Sequence, residues 1–169
     1  FGCLIRDISV HLEYLKASME ATEAEIQNFT NQTPGLKAKQ ELLVSIPGVG
    51  KKTSARLLAE IGEINRFENA PQLAAYAGLN PKGFSSGSSV HKKTRISKQG
   101  RSELRACLYM PAIVAMTHNP VVRALKERLQ KKQLPTMAIV AACMRKLLHI
   151  VYGVLKSQMP FDPDYDRQF

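Results

Sequence analysis

The chain has 169 residues, 44% of them apolar, which suits one domain with a core plus an appendage. Twenty-four Lys and Arg against 14 Asp and Glu give a formal charge of +10. That charge directs attention to a polyanion, nucleic acid first and an anionic membrane surface second, against the plain alternative of a solvated basic protein.

Cys3, Cys107 and Cys143 are odd in number, far apart and outside any Cys/His ligand spacing, so they read as free thiols in a reducing compartment. No disulfide frame or zinc site fits them. No signal peptide is visible, and the opening on Phe1, already close to helical pattern, reads as a piece cut from a longer protein. The expected location is cytoplasmic.

The fold class expected is all-α, mainly helical. In residues 1–33, Leu4, Ile8, Leu12, Leu15, Met19, Ile26 and Phe29 recur at three-, four- and seven-residue spacings. This predicts an amphipathic linker helix or coiled-coil arm, acidic through Asp7, Glu13, Glu20, Glu23 and Glu25, through which copies of the chain would pair. Packing onto its own domain fits the pattern equally well. Asn31 to Gly35 should break that helix. A helical domain over 36–158 follows, with short helices at 36–45, 51–61 and 71–77. Gly83, Gly87 and five serines interrupt it between 80 and 100, where Val90 and Ile96 leave room for a small β-hairpin near 83–96. Helices resume from Ser102 to about Asn119, where Pro111 should kink the backbone, then from Pro120 to about Lys132, then to about Ser157. The last stretch, Met137 to Leu155, carries Arg145, Lys146 and His149 at its centre and is therefore no membrane span. Its stripe of Met137, Val140, Ala141, Met144, Leu147, Leu148 and Val151 reads as core. The tail, 159–169, should be poorly ordered.

Ser45-Ile-Pro-Gly-Val-Gly-Lys-Lys-Thr53 lies between two predicted helices. Gly48 and Gly50 permit positive φ and a close approach of phosphate to backbone, the next helix offers unpaired N–H groups, and Lys51 and Lys52 add charge beside Thr53. A nucleotide P-loop is excluded, because Ser45 stands where it needs Gly and Lys52 where it needs Ser or Thr. The stretch resembles the helix–hairpin–helix DNA-binding motif, against the bland alternative of a glycine turn with no further role.

From Lys82 to Arg105 there are seven Lys and Arg (Lys82, Lys92, Lys93, Arg95, Lys98, Arg101 and Arg105) against Glu103 alone, in a Gly/Ser-rich basic loop suited to phosphate contact. His91 is a candidate proton acceptor there, though a lone loop histidine is more often only solvated. Basic residues from Arg123 to Lys132 could track a backbone or simply face water. Tyr76 and Tyr109 could stack bases, with core packing the favoured alternative.

The wording here is more specific. Ala75-Tyr-Ala-Gly-Leu-Asn-Pro81, Ser86-Gly87, Thr94-Arg-Ile-Ser-Lys-Gln-Gly100 and Leu104-Arg-Ala-Cys-Leu-Tyr-Met110 together resemble the C-terminal domain of the insertion-sequence 110/116/902 transposase family, related to the Piv-type DNA invertases. The likeness covers about Leu42 to Tyr152. It implies an N-terminal RuvC-like nuclease domain with four carboxylates for a divalent metal (Mg), joined through a coiled-coil region, and a guide RNA from the element. It also implies a serine nucleophile for DNA strand cleavage and exchange. The serine before glycine is Ser86, with Ser85 and Ser88 as neighbours not excluded. No metal site or cofactor is expected in this chain, which alone should bind DNA and not cut it. Two rival readings stand beside this one: a non-catalytic helix–hairpin–helix module of a repair or recombination complex, and a domain whose main ligand is structured RNA.

Overall fold

The computed structural model describes residues 2–86 and 90–164. It divides into two compact units, Phe1–Ala38 and Lys39–Phe169. In the first, α1 runs over Gly2–Gln32. The expected stripe is exposed along it: Leu4, Ile8, Leu12, Met19 and Phe29 are all at least half exposed. The break expected over Asn31 to Gly35 narrows to Thr33, because Pro34 opens α2 (Pro34–Val44) directly. Pro34 suits a helix start, where its missing N–H costs no hydrogen bond.

Among its described residues, the regular structure of the second unit is helical apart from one antiparallel ribbon. Its remaining elements are α3 (Lys51–Ile61), a 3-10 turn (Ile64–Arg66), α4 (Ala70–Tyr76), β1 (Pro81–Ser86), β2 (Val90–Ile96), α5 (Ser102–His118), α6 (Pro120–Lys131) and α7 (Thr136–Ser157). The β-hairpin expected near 83–96 is present as β1 and β2. Asn69 and Asn119 cap α4 and α6 by accepting from first-turn N–H groups, each helix having Pro in its first turn. Pro111 lies inside a continuous α5.

α7 is the axis of the core and packs against α4, α5, α6 and the 3-10 turn. Leu147, Leu148 and Val151 are fully buried, joined by Ile139 and Cys143 from a wider arc than the single predicted stripe. Met137, expected in that stripe, is 64% exposed because it lies in the first turn, ahead of the packed faces. Among the described residues α7 alone is long and apolar enough to cross a membrane by length and composition, and 56% of that window is buried inside the protein. Tyr152 Oη donates toward the carbonyls of Phe67 (3.2 Å) and Glu68 (2.8 Å), and Lys156 Nζ donates to Asn65 Oδ1 (3.0 Å), tying the end of α7 to the chain around the 3-10 turn. Part of the tail is also held: the Phe161 N–H donates to Ser45 Oγ at 2.8 Å. Residues 165–169 lie outside the described residues. Burial pushes the Cys107 and Cys143 thiols up, away from reactive thiolate.

His149 sits on α7 with its Nε2 buried and without a partner. Burial, and then Arg145 and Lys146, hold its pKa below the usual 6.5. The folded chain therefore binds fewer protons at this group than the unfolded chain does. Its contribution is complete above the unfolded value and is lost as pH falls from there through the lower folded value. Urea unfolding should show less stability at about pH 5.5 than at about pH 7.5, and His149→Leu should flatten that difference.

Candidate nucleic-acid interface

Two glycines with different duties shape the turn between α2 and α3. Gly48 has φ +104, a conformation that L side chains rarely adopt, and a Cβ built there would lie 2.9 Å from both Cβ and N of Ala115 on α5. Its bareness serves close packing. Gly50 is different: its φ is −91, so the positive φ allowed for it in the sequence is not used, and an added Cβ would meet nothing within 4 Å. Gly50 is the N-cap of α3 and supplies no side-chain cap. The open approach to the first-turn N–H groups is thus at Gly50, beside the exposed Lys51 and Lys52 and half-buried Thr53.

The frame behind the turn is rigid. Leu43, Ile46, Leu57 and Ile61 are fully buried and Val49 nearly so. The buried Gln40 side chain donates to the Lys51 carbonyl (3.2 Å), which also accepts from Ser54 Oγ (2.8 Å). These bonds fix the start of α3 from both sides.

α3 lies antiparallel along α5. Gly48 meets Ala115 at one end, Arg56 pairs with Glu103 (3.2 Å) further along, and Glu60 pairs with Arg101 (2.6 Å) at the other. The rise along α5 from Ser102 to Ala115 is about 20 Å. The predicted residues therefore fall into two places, not one. Gly48, Gly50, Lys51, Lys52 and Thr53 gather at one end of α5, while Arg101, Arg105 and the ribbon carrying Lys92, Lys93 and Arg95, with Lys98 just beyond it, gather at the other. At about 3.4 Å per phosphate along one strand, the gap spans roughly six nucleotides of duplex.

The ribbon is anchored where it leaves the helices. Its ladder continues past β1 and β2 through Ser97 N–H to the Asn80 carbonyl (2.9 Å), Lys98 N–H to Gly78 (3.1 Å) and Arg101 N–H to Tyr76 (2.7 Å). Gly78 and Gly100 both have positive φ, and a Cβ on Gly100 would run into the Tyr76 carbonyl. Lys98 also takes a left-handed φ of 55, at a cost of about 1 kcal/mol for a residue with a Cβ. Arg105 Nη1 donates to the Ala77 carbonyl (3.0 Å) at the end of α4. Arg101 and Arg105 are thus structural as well as cationic.

Further out, Lys82 pairs with Arg95, Phe84 with Lys92, Ser85 with His91 and Ser86 with Val90, with a one-residue slip between Lys82 and Phe84. Such a slip raises local twist. Ser86 ends β1, and the connection at 87–89, which includes Ser88, lies outside the described residues.

Residues 40–127, which take in the turn and the whole ribbon, match the family described as Transposase IS116/IS110/IS902 family. The chain belongs to that family. It is 39% identical over 153 residues to the pilin gene-inverting protein of Moraxella bovis, covering 90% of this chain and 48% of that one. The pilin gene-inverting protein of Moraxella lacunata is similar to the same extent. The transposase for insertion sequence element IS1111A of Coxiella burnetii is 35% identical over 96 residues, which are 57% of this chain and 24% of that one. This transposase-family chain therefore spans about half the length of the Moraxella relatives.

Among the described residues no group of three or more His, Cys, Asp or Glu is gathered to hold a metal ion. The donors described thus do not fit a divalent ion of the kind phosphoryl transfer uses.

Two features escaped the sequence. Arg66, exposed in the 3-10 turn, lies 4.7 Å from the centroids of both the Phe67 and Tyr76 rings. Tyr76 is half-buried beneath it, not core, and Tyr109 is 38% exposed. The Arg66–Phe67 dipeptide was visible, but nothing in periodicity announces that Tyr76 returns beneath it.

Proposed function

We propose that this chain is the nucleic-acid-gripping, serine-bearing part of a DNA transposase or DNA-inverting recombinase. Membership of the transposase family across the turn and the ribbon is the observation that carries this reading. Two basic places about 20 Å apart on one rigid helix frame support it. The turn, read as a helix–hairpin–helix, takes a backbone phosphate at the bare Gly50 and the start of α3. The ribbon cations Lys92, Lys93, Arg95 and Lys98 take the same or the opposite strand further along. Neither device reads bases, so affinity comes from counterion release and sequence choice from elsewhere, for which a guide RNA is the proposed source.

Ser86 is the proposed nucleophile. Its oxygen bonds to a DNA phosphorus as one strand oxygen leaves, the serine proton passes to a base and the leaving oxygen takes one up, so one P–O bond forms for one broken. A second protein segment bearing metal-binding carboxylates would activate the attack in the intact protein. A second copy, paired through the exposed stripe of α1, would hold the partner strand.

Lys51→Ala with Lys52→Ala tests the grip. The double variant should keep its fold, lose duplex affinity to a similar degree on any sequence, and lower the slope of log affinity against log salt by about two. An unchanged slope would remove the turn from the interface.

A further inference from the structure

We propose that Arg66, Tyr76 and Arg101 form an anion site at the root of the ribbon that binds one backbone phosphodiester of the nucleic acid. This rests on the nucleic-acid reading above and adds a contact to it, at the second basic place, to which Arg101 already belongs.

Arg66 has its guanidinium stacked against two aromatic rings and no carboxylate within ion-pair distance among the described residues. A stacked guanidinium uses its face on the rings and keeps edge donors for an acceptor, the arrangement in which arginine takes phosphate most readily. Arg101 is held from two sides, by Glu60 at 2.6 Å through its side chain and by the Tyr76 carbonyl, which accepts from its backbone N–H at 2.7 Å. The Tyr76 ring thus carries one guanidinium over its face, and Arg66 first and then Arg101 hold the phenol's pKa below the usual 10.0. The phenol has its own O–H to donate, and a phosphodiester oxygen is a strong acceptor. Two cations against one carboxylate leave the cluster positive.

Its position suits a backbone phosphate. The Tyr76 carbonyl takes the last ladder bond of the ribbon, from Arg101, so the cluster and the ribbon move together. Ser86 lies five residues beyond Pro81 on β1, about 17 Å at the usual strand rise.

The experiment measures binding of the chain to a 30-base-pair DNA duplex and to an RNA hairpin of equal stem length, over a range of salt. Arg66→Gln removes the charge. Tyr76→Phe removes only the hydroxyl and keeps the ring stack, so it stays informative should Arg66→Gln disturb the fold. Each should weaken binding by about tenfold at low salt, and Arg66→Gln should lower the salt slope by about one, which a merely structural role would not do. Loss on both polymers marks a shared phosphodiester site, and loss on one assigns the site to that polymer. Wild-type affinity and slope in both variants, while Lys51→Ala with Lys52→Ala binds weakly, would overturn this site alone. No binding by the wild-type chain would instead overturn the reading beneath it.

Discussion

In the full-length protein, Ser86→Ala should lower DNA strand exchange by on the order of 10,000-fold or more while duplex affinity changes by no more than about twofold. The asymmetry follows from what an alanine removes. In the proposed mechanism the serine oxygen contributes one hydroxyl to binding, against many phosphate contacts at the two basic places, but nothing would replace it as the atom that bonds to phosphorus. A covalent protein–DNA adduct, trapped by rapid denaturation during turnover, should vanish with it. Ser85→Ala and Ser88→Ala serve as controls, since Ser85 pairs with His91 one step nearer the root of the ribbon and Ser88 lies in the connection outside the described residues. Full exchange by Ser86→Ala would remove it from the chemistry, and loss of the adduct in a neighbour instead would move the assignment there.

The second large effect separates two glycines that look equivalent in sequence. Gly48→Ala should destabilise the second unit by about 3 kcal/mol, seen as a fall of about 10 °C in melting temperature. The new Cβ would press on Ala115, where the atoms at 2.9 Å include backbone nitrogen, and φ +104 strains any L side chain. Neither the backbone of α5 nor the turn has room to yield without opening the packing of Ile46 and Val49. Gly50→Val should melt within about 2 °C of wild type, because its φ is −91 and the space around it is open. Its cost should fall on binding, about tenfold, through a side chain standing where a phosphate meets the start of α3. Equal melting temperatures for the two variants would contradict this division of labour.

Much of this fold could be read from local chemistry. The bounds of α3 follow from Gly50 before it and Gly62 after it, α6 starts where Asn119 and Pro120 say it should, and the ribbon shows in Val90 and Ile96 flanking polar residues. What could not be read depended on residues distant in sequence. Gly48 is needed for Ala115, so its positive φ was predictable and its packing was not. Tyr76 looked like core because an aromatic at helical spacing usually is, and only the fold brings Arg66 over its ring. In sequence, the turn at 45–53 and the basic loop at 82–105 carry no sign of how far apart they lie in space. The antiparallel run of α3 on α5, held by Glu60 with Arg101, carries them to opposite ends of a helix. Ser86 was singled out by family wording, and the ribbon register adds its place at the end of β1.

The most direct test of the whole account is affinity for a fixed DNA duplex measured from about 50 to 200 mM salt. Two basic places on one frame predict a loss of roughly a thousandfold or more over that range, with little dependence on sequence. Affinity that is absent, or that does not respond to salt, would contradict the claim that this chain grips the sugar–phosphate backbone.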